Sequence, residues 1–193
     1  MVLSLAKTNL YACLRLLEAF QARGLEHLVL CPGSRSAPLA IAAGFLAKVN
    51  GLRVVTSIDE RSAAFLGLGL SVAGSRGVVV VTTSGTAVAN LLPAAVEADR
   101  SCHPLIFLTA DRPVRLKNCG ANQTVNQEDF LCSVCRFLGE GPLEGLHLMN
   151  KREIDDFVEV AWEKAHCFPG PIHLNIPLEE PLHPSNEVQK QIF

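Results

Sequence analysis

Aromatic residues are scarce: Phe, Trp and Tyr make up 6% of the 193 residues, with one Trp and one Tyr. The core must therefore be built from Val, Leu, Ile and Ala. Charge is also sparse, at 19%, and the two signs nearly cancel to a formal −2. That balance provides no basic footprint for nucleic acid and no attraction to an anionic membrane. Long apolar runs are missing. The uncharged apolar stretches Ser62–Ser75 and Ser36–Ala47 are too short to span a bilayer. Met1 to Lys7 lacks the basic segment and apolar stretch of a secretory signal, so a cytoplasmic protein is expected.

Metal-ligand spacing is absent as well. The seven cysteines are scattered. Cys13, Cys31, Cys102 and Cys167 lie in apolar segments and read as reduced core residues. Cys132 and Cys135 form a single CxxC. With no second pair and no histidines at ligand spacing, it does not make a zinc site. There is no Walker A loop either. What remains is an apolar fraction of 49% in a chain long enough for one well-packed domain.

Helix-like and strand-like segments alternate along the chain. Leu5–Arg23 carries Leu10, Leu14, Leu17 and Ala22 on one side and stops at Gly24. His27–Cys31, Leu52–Ser57, Val78–Thr82, Pro104–Thr109 and Pro171–Ile176 read as strands, with Val134–Leu138 as a further candidate. Pro38–Val49, Glu60–Ala73, Gly85–Arg100 and Arg152–His166 read as helices, and Pro93 predicts a kink in the third. Val78–Thr82 is purely β-branched, the mark of a strand covered on both faces. This alternation predicts an α/β three-layer sandwich with a mostly parallel central sheet. The polar segment 184–193 reads as the start of a linker after a domain spanning residues 1–183.

In such sheets ligands bind where the loops leave the carboxyl ends of the strands. Four loops qualify. Pro32–Ser36 enters a helix, with Ser36 as an N-cap candidate and Pro38 in the first turn. Ser34 and the Arg35 fork make it an anion-site candidate, against the alternative of an ordinary capped turn. In Ser57–Arg61, Asp59 suits the next helix cap. Glu60 is either a first-turn acid favoured by the helix dipole or a proton-exchanging carboxyl at a strand end. Thr83–Thr86 starts another helix, and Gly85 permits close approach to its backbone. The long loop Thr109–Gln123 carries Arg112, Asn122 and Gln123. Composition alone leaves both readings of each loop open.

Five motifs in order sharpen the choice: Cys31-Pro32-Gly33-Ser34-Arg35-Ser36-Ala37-Pro38-Leu39, Asp59-Glu60-Arg61, Thr83-Ser84-Gly85-Thr86-Ala87-Val88-Ala89-Asn90, Thr109-Ala110-Asp111-Arg112-Pro113 and Cys119-Gly120-Ala121-Asn122-Gln123. From about Leu5 to Pro184 the chain resembles the N-terminal, pyrimidine-binding (PYR) domain of the 2-succinyl-5-enolpyruvyl-6-hydroxy-3-cyclohexene-1-carboxylate synthase family. These are thiamine diphosphate (ThDP) enzymes of menaquinone and phylloquinone biosynthesis. The resemblance implies a ThDP-binding fold and a reaction in which 2-oxoglutarate loses CO2 and the remaining carbanion adds to isochorismate. It implies Glu60 as the catalytic carboxyl at the cofactor's pyrimidine N1′. Gly85 and Thr86 are implied near the pyrimidine ring, and Ser34, Arg35, Arg112, Asn122 and Gln123 in the substrate pocket. The family's GDG motif, which holds the diphosphate and Mg2+, does not occur in this chain. The resemblance therefore places Mg2+ on a domain lying beyond Phe193, within a homo-oligomer, a dimer or tetramer, whose active site forms between subunits. Alone, the chain is expected to be inactive. The open alternatives are another ThDP carboligase or decarboxylase, or a non-catalytic anion-binding or dimerisation module.

Overall fold

The computed structural model describes residues 2–74 and 76–192. Six strands form one sheet: β1 (His27–Leu30), β2 (Arg53–Thr56), β3 (Val78–Thr82), β4 (Leu105–Asp111), β5 (Leu138–Glu140) and β6 (Pro171–Pro177). Their order is β2-β1-β3-β4-β6-β5, and every neighbouring pair is parallel. The helices are α1 (Val2–Ala22), α2 (Ala37–Val49), α3 (Glu60–Gly74), α4 (Thr86–Ala89), α5 (Leu92–Ser101), α6 (Lys151–His166) and α7 (Asn186–Ile192). Among the described residues no helix is long and apolar enough to cross a membrane.

The strand residues alternate between two cores, as the two-residue repeat of a pleated strand requires. Val79, Val81, Ile106 and Leu108 pack under α1, α2 and α6. Val78, Val80, Leu105 and Phe107 pack under α3 and α5. Branched side chains are stiff and fill a pleated surface well, so a sheet this poor in aromatics still closes its core. All of β3, β4 and β6 is buried.

This layering also positions the site. The chain enters at β1, steps outward to β2, then crosses back to β3 on the other side of β1. The loop after β1 leads to α2 in one layer, and the loop after β3 leads to α4 and α5 in the other. Such divergence at a topological switch opens a crevice at the carboxyl edge.

Several expectations need correction. The segment Val134–Leu138 is not a strand: residues 131–135 form a turn, and β5 starts at Leu138. Leu131, Val134 and Cys135 are spaced for a helical turn, and that turn lays all three onto the second core. The helix expected over Gly85–Arg100 is two helices. The break falls at Asn90–Leu91, ahead of Pro93, which sits in the first turn of α5 where its missing N–H costs nothing. Cys102 and Cys167 are exposed rather than core, because both cap the ends of helices at the surface. Residues 186–192, within the segment read as linker, form α7, whose Ile192 packs against the first core.

The buried strand β6 carries a histidine. His173 is almost wholly buried, with its Nε2 2.8 Å from Thr109 Oγ1. Burial pushes its pKa down to about 4, against a weaker upward pull from Glu128. The unfolded chain takes up this proton near pH 6.5 and the folded chain only near 4. Stability is therefore complete above pH 6.5 and declines as the pH falls towards 4, by up to about 3 kcal/mol. Urea unfolding across that window is expected to show the decline, and His173→Gln to flatten it.

Candidate active site

The crevice is assembled by loops that touch. Gly33, after β1, lies so close to Thr83, after β3, that a Cβ on Gly33 would sit 2.3 Å from the Thr83 Cβ. Only glycine lets these two strand ends meet. Beyond it, Ser36 occupies the start of α2, but its hydroxyl donates to the Gly33 carbonyl at 3.2 Å instead of capping the helix. The loop is thereby tied to itself.

On the α3 side the two acids divide their tasks. Asp59 Oδ1 accepts the Ser62 amide at 2.7 Å and serves as the cap, and this bond holds its carboxyl below the usual range. Glu60 is released from that role. Half-buried, it accepts a hydrogen bond from Asn90 Nδ2 at 3.1 Å, and its Oε1 has no hydrogen bond among the described residues. Asn90 reaches it because the helix breaks there. Cys31, at the end of β1, senses this carboxylate: burial pushes the thiol up to about 12, and the charges of Glu60 and Asp59 add to the effect. Glu60 thus stands at the crevice mouth, beside the end of β1.

The other side of the crevice is cationic. Arg112 donates from Nη1 to Ser84 Oγ and to the Gln123 carbonyl, the latter at 2.8 Å. Only its backbone amide bonds Asp111, at 2.7 Å, so the guanidinium is not the aspartate's partner. Burial lowers the Arg112 pKa, and the nearby Arg35 charge lowers it further. Arg35 is 6% exposed and donates to the Leu178 carbonyl at 2.9 Å and to Glu180 Oε1 at 2.8 Å. Its fork is engaged by the strap that follows β6, a partner the sequence did not suggest.

Gly85 holds a backbone with φ of +81°, and a Cβ there would press on the Gln123 carbonyl and Cβ at 3.1 and 3.2 Å. Gln123 itself has φ of +55°, an unfavourable region for a side chain, kept in place by the Arg112 bond. Ser34, Thr86 and Asn122 are exposed at the same edge, and the Asn122 side chain makes no hydrogen bond among the described residues. The loops therefore bring Gly85, Gln123 and Arg112 into one contact set and Glu60 into another, joined through residues 84–90. Arg35 joins by charge rather than by contact.

A family model described as thiamine pyrophosphate enzyme, N-terminal TPP binding domain, matches residues 14–130. The chain belongs to that family. This TPP-binding domain is 66% identical over 170 residues to a 2-succinyl-5-enolpyruvyl-6-hydroxy-3-cyclohexene-1-carboxylate synthase of Prochlorococcus marinus (strain MIT 9313), covering 88% of the chain and 29% of the relative. A relative of the same name from strain NATL2A is 59% identical over 193 residues, 100% of the chain and 32% of its own length. One from Synechococcus sp. (strain WH7803) is 62% identical over 178 residues, 92% of the chain and 31% of its own length. The chain thus spans about a third of the curated relatives it matches.

The residues of this TPP-binding domain suit an aminopyrimidine. Glu60 offers a half-buried carboxyl with one oxygen unbonded among the described residues, the kind of group a pyrimidine nitrogen could meet, while the space beside Gly85 is taken up by Gln123. Sequence reasoning missed Gln127. It is wholly buried, accepts the Gly85 amide at 2.8 Å, and donates to the Ala110 carbonyl at 3.0 Å and Asn175 Oδ1 at 2.8 Å. It also missed Asn90 as the holder of Glu60, and Glu180. Asn90 lies in a quoted motif, but nothing local marked its partner. Replacing Gln127 by Ala strands the Gly85 amide and the Ala110 carbonyl, leaves Asn175 Oδ1 to Thr109 alone, and is expected to cost about 2–5 kcal/mol. Denaturant unfolding at neutral pH measures this.

Proposed function

We propose that this chain forms the pyrimidine-binding part of a synthase that decarboxylates 2-oxoglutarate and joins the remaining succinyl-semialdehyde unit to isochorismate. The product is 2-succinyl-5-enolpyruvyl-6-hydroxy-3-cyclohexene-1-carboxylate. The observation that carries this reading is the position of Glu60, half-buried at the crevice mouth, aimed by Asn90 and relieved of capping by Asp59. The shared name of relatives 59–66% identical supports the choice of reaction.

Thiamine diphosphate, when bound, supplies the electron sink that decarboxylation needs. The chain's own residues do the rest. Glu60 holds the pyrimidine N1′ and exchanges a proton there, while Asn90 fixes the carboxyl's orientation. Gly85 lies near the ring and Thr86 offers it a hydroxyl. Arg112 and Arg35 present guanidinium groups to substrate carboxylates, which suit them in charge and in fork geometry. Glu180 is 57% exposed, so a substrate carboxylate displaces it from Arg35 at little cost in desolvation. Ser34, Asn122 and Gln123 supply hydroxyl and amide groups to the remaining oxygens. The reading includes Mg2+ held by residues outside this chain, a homo-oligomer with its site between subunits, a cytoplasmic setting and a role in menaquinone or phylloquinone synthesis.

In the full-length protein, Glu60→Gln is expected to lower kcat with 2-oxoglutarate and isochorismate by roughly 10²–10⁴-fold, with Tm nearly unchanged. Near-normal turnover would reduce Glu60 to a helix-start acid and overturn the proposal. Calorimetric titration of the isolated chain with ThDP and Mg2+ is expected to show weak binding, and a sub-micromolar Kd contradicts the shared-site reading.

A further inference from the structure

Two cysteines stand outside the machinery above. Residues 131–135 form one helical turn, in which the Val134 and Cys135 amides donate to the Leu131 carbonyl at 3.1 and 2.8 Å. Residues three apart on such a turn are neighbours, so Cys132 and Cys135 share a side. Cys132 is exposed, and its thiol donates to the Asp129 carbonyl 3.0 Å away. Cys135 is half-buried and packs against the second core with Phe130 and Val134. Both thiols are free. Among the described residues no group of three or more His, Cys, Asp or Glu side chains could hold a metal here.

One thiol is open to solvent and its neighbour is sheltered, which is the arrangement of an attacking and a resolving sulfur. Cβ atoms three apart on a helical turn lie about 5–6 Å from each other, and a disulfide needs about 3.5–4.5 Å. Tightening one turn by roughly 1–2 Å closes that gap. The turn follows directly on residues Gln127–Phe130, so tightening it pulls on the segment whose Gln127 holds the Gly85 amide.

We propose that Cys132 and Cys135 form a redox-active dithiol, oxidised to an intramolecular disulfide by a low-molecular-weight disulfide such as oxidised glutathione. Cys132 loses its proton to water, and its sulfur attacks the external disulfide. A mixed disulfide forms and one glutathione leaves as thiolate. Cys135 then loses its proton and attacks Cys132 Sγ, expelling the second glutathione thiolate. Two protein thiols are oxidised, and one external disulfide is reduced to two thiols. Burial pushes the Cys135 thiol up to about 12, with smaller contributions from Asp99 and Cys132. Ring closure is therefore the slow step, and it accelerates roughly tenfold per pH unit as the Cys135 thiolate becomes available.

The experiment exposes the reduced protein to excess oxidised glutathione, labels the remaining thiols with an alkylating agent and maps them by mass spectrometry. The peptide bearing Cys132 and Cys135 is expected to lose two hydrogens and take no label. Cys135→Ser is expected to accumulate one glutathione on Cys132, and Cys132→Ser to leave Cys135 free of it. Alkylation of both cysteines in the oxidised wild-type protein would refute the proposal. So would a bond from either of them to Cys102, or a Cys135→Ser protein with no adduct on Cys132. The wild-type result stands without either variant.

Discussion

A single buried amide side chain ties the crevice together. Gln127 accepts from the Gly85 amide and donates both to the β4 backbone at Ala110 and to Asn175 on β6. A backbone held at positive φ leaves its N–H pointing away from any regular ladder, and a buried donor without a partner is costly. Gln127 removes that cost and locks the turn after β3 to the two strands beside it. The contacts of Arg112, Gln123 and Glu60 depend on that turn. It carries Ser84 for Arg112, sets Gly85 against Gln123, and starts α4, whose end presents Asn90 to Glu60.

Charge at the edge is partitioned by the same frame. Asp111 is fully buried at the end of β4, and its Oδ2 lies 3.1 Å from Lys117 Nζ and accepts from Asn175 at 2.9 Å. Lys117 also pairs with Glu128 at 2.9 Å. A buried carboxyl group needs such a set of partners to offset its lost hydration. Because Lys117 and Asn175 supply it, Arg112 is not consumed by the aspartate next to it in sequence. Its guanidinium is free to turn across the crevice towards Ser84 and Gln123. Arg35 is balanced by Glu180 on the far side, so two arginines coexist near one another without either lying unpaired.

The fold was legible because its signals are local. The β-branched run Val78–Val81 and the strands interleaved with helices need only the two-residue and helical repeats to be read. Boundaries failed where a tertiary contact decided them. Residues 131–135 chose a turn because the second core accepts Leu131, Val134 and Cys135 together. The helix after Gly85 broke where Asn90 meets Glu60. Candidate site residues could be named where a strand end and a polar loop coincide, as at Glu60, Gly85 and Arg112. Gln127, Asn175 and Glu180 were not, because their partners lie 42, 48 and 145 residues away in the chain.

The two sides of the crevice also differ in how firmly they are held, and the difference fits the roles proposed for them. Arg112 and Gln123 hold each other through a strained backbone, and Gln127 is fixed at three points. Among the described residues the carboxyl of Glu60 has one hydrogen-bond partner, through one oxygen. The proton exchange proposed for Glu60 suits that freedom, since a carboxylate held by several donors favours its charged form. A group that recognises an anion needs the opposite, a fork fixed before the ligand arrives. The sheet provides both by placing its singly bonded carboxyl at a helix start beside β1 and its multiply bonded cations over the densely bonded ends of β4 and β6.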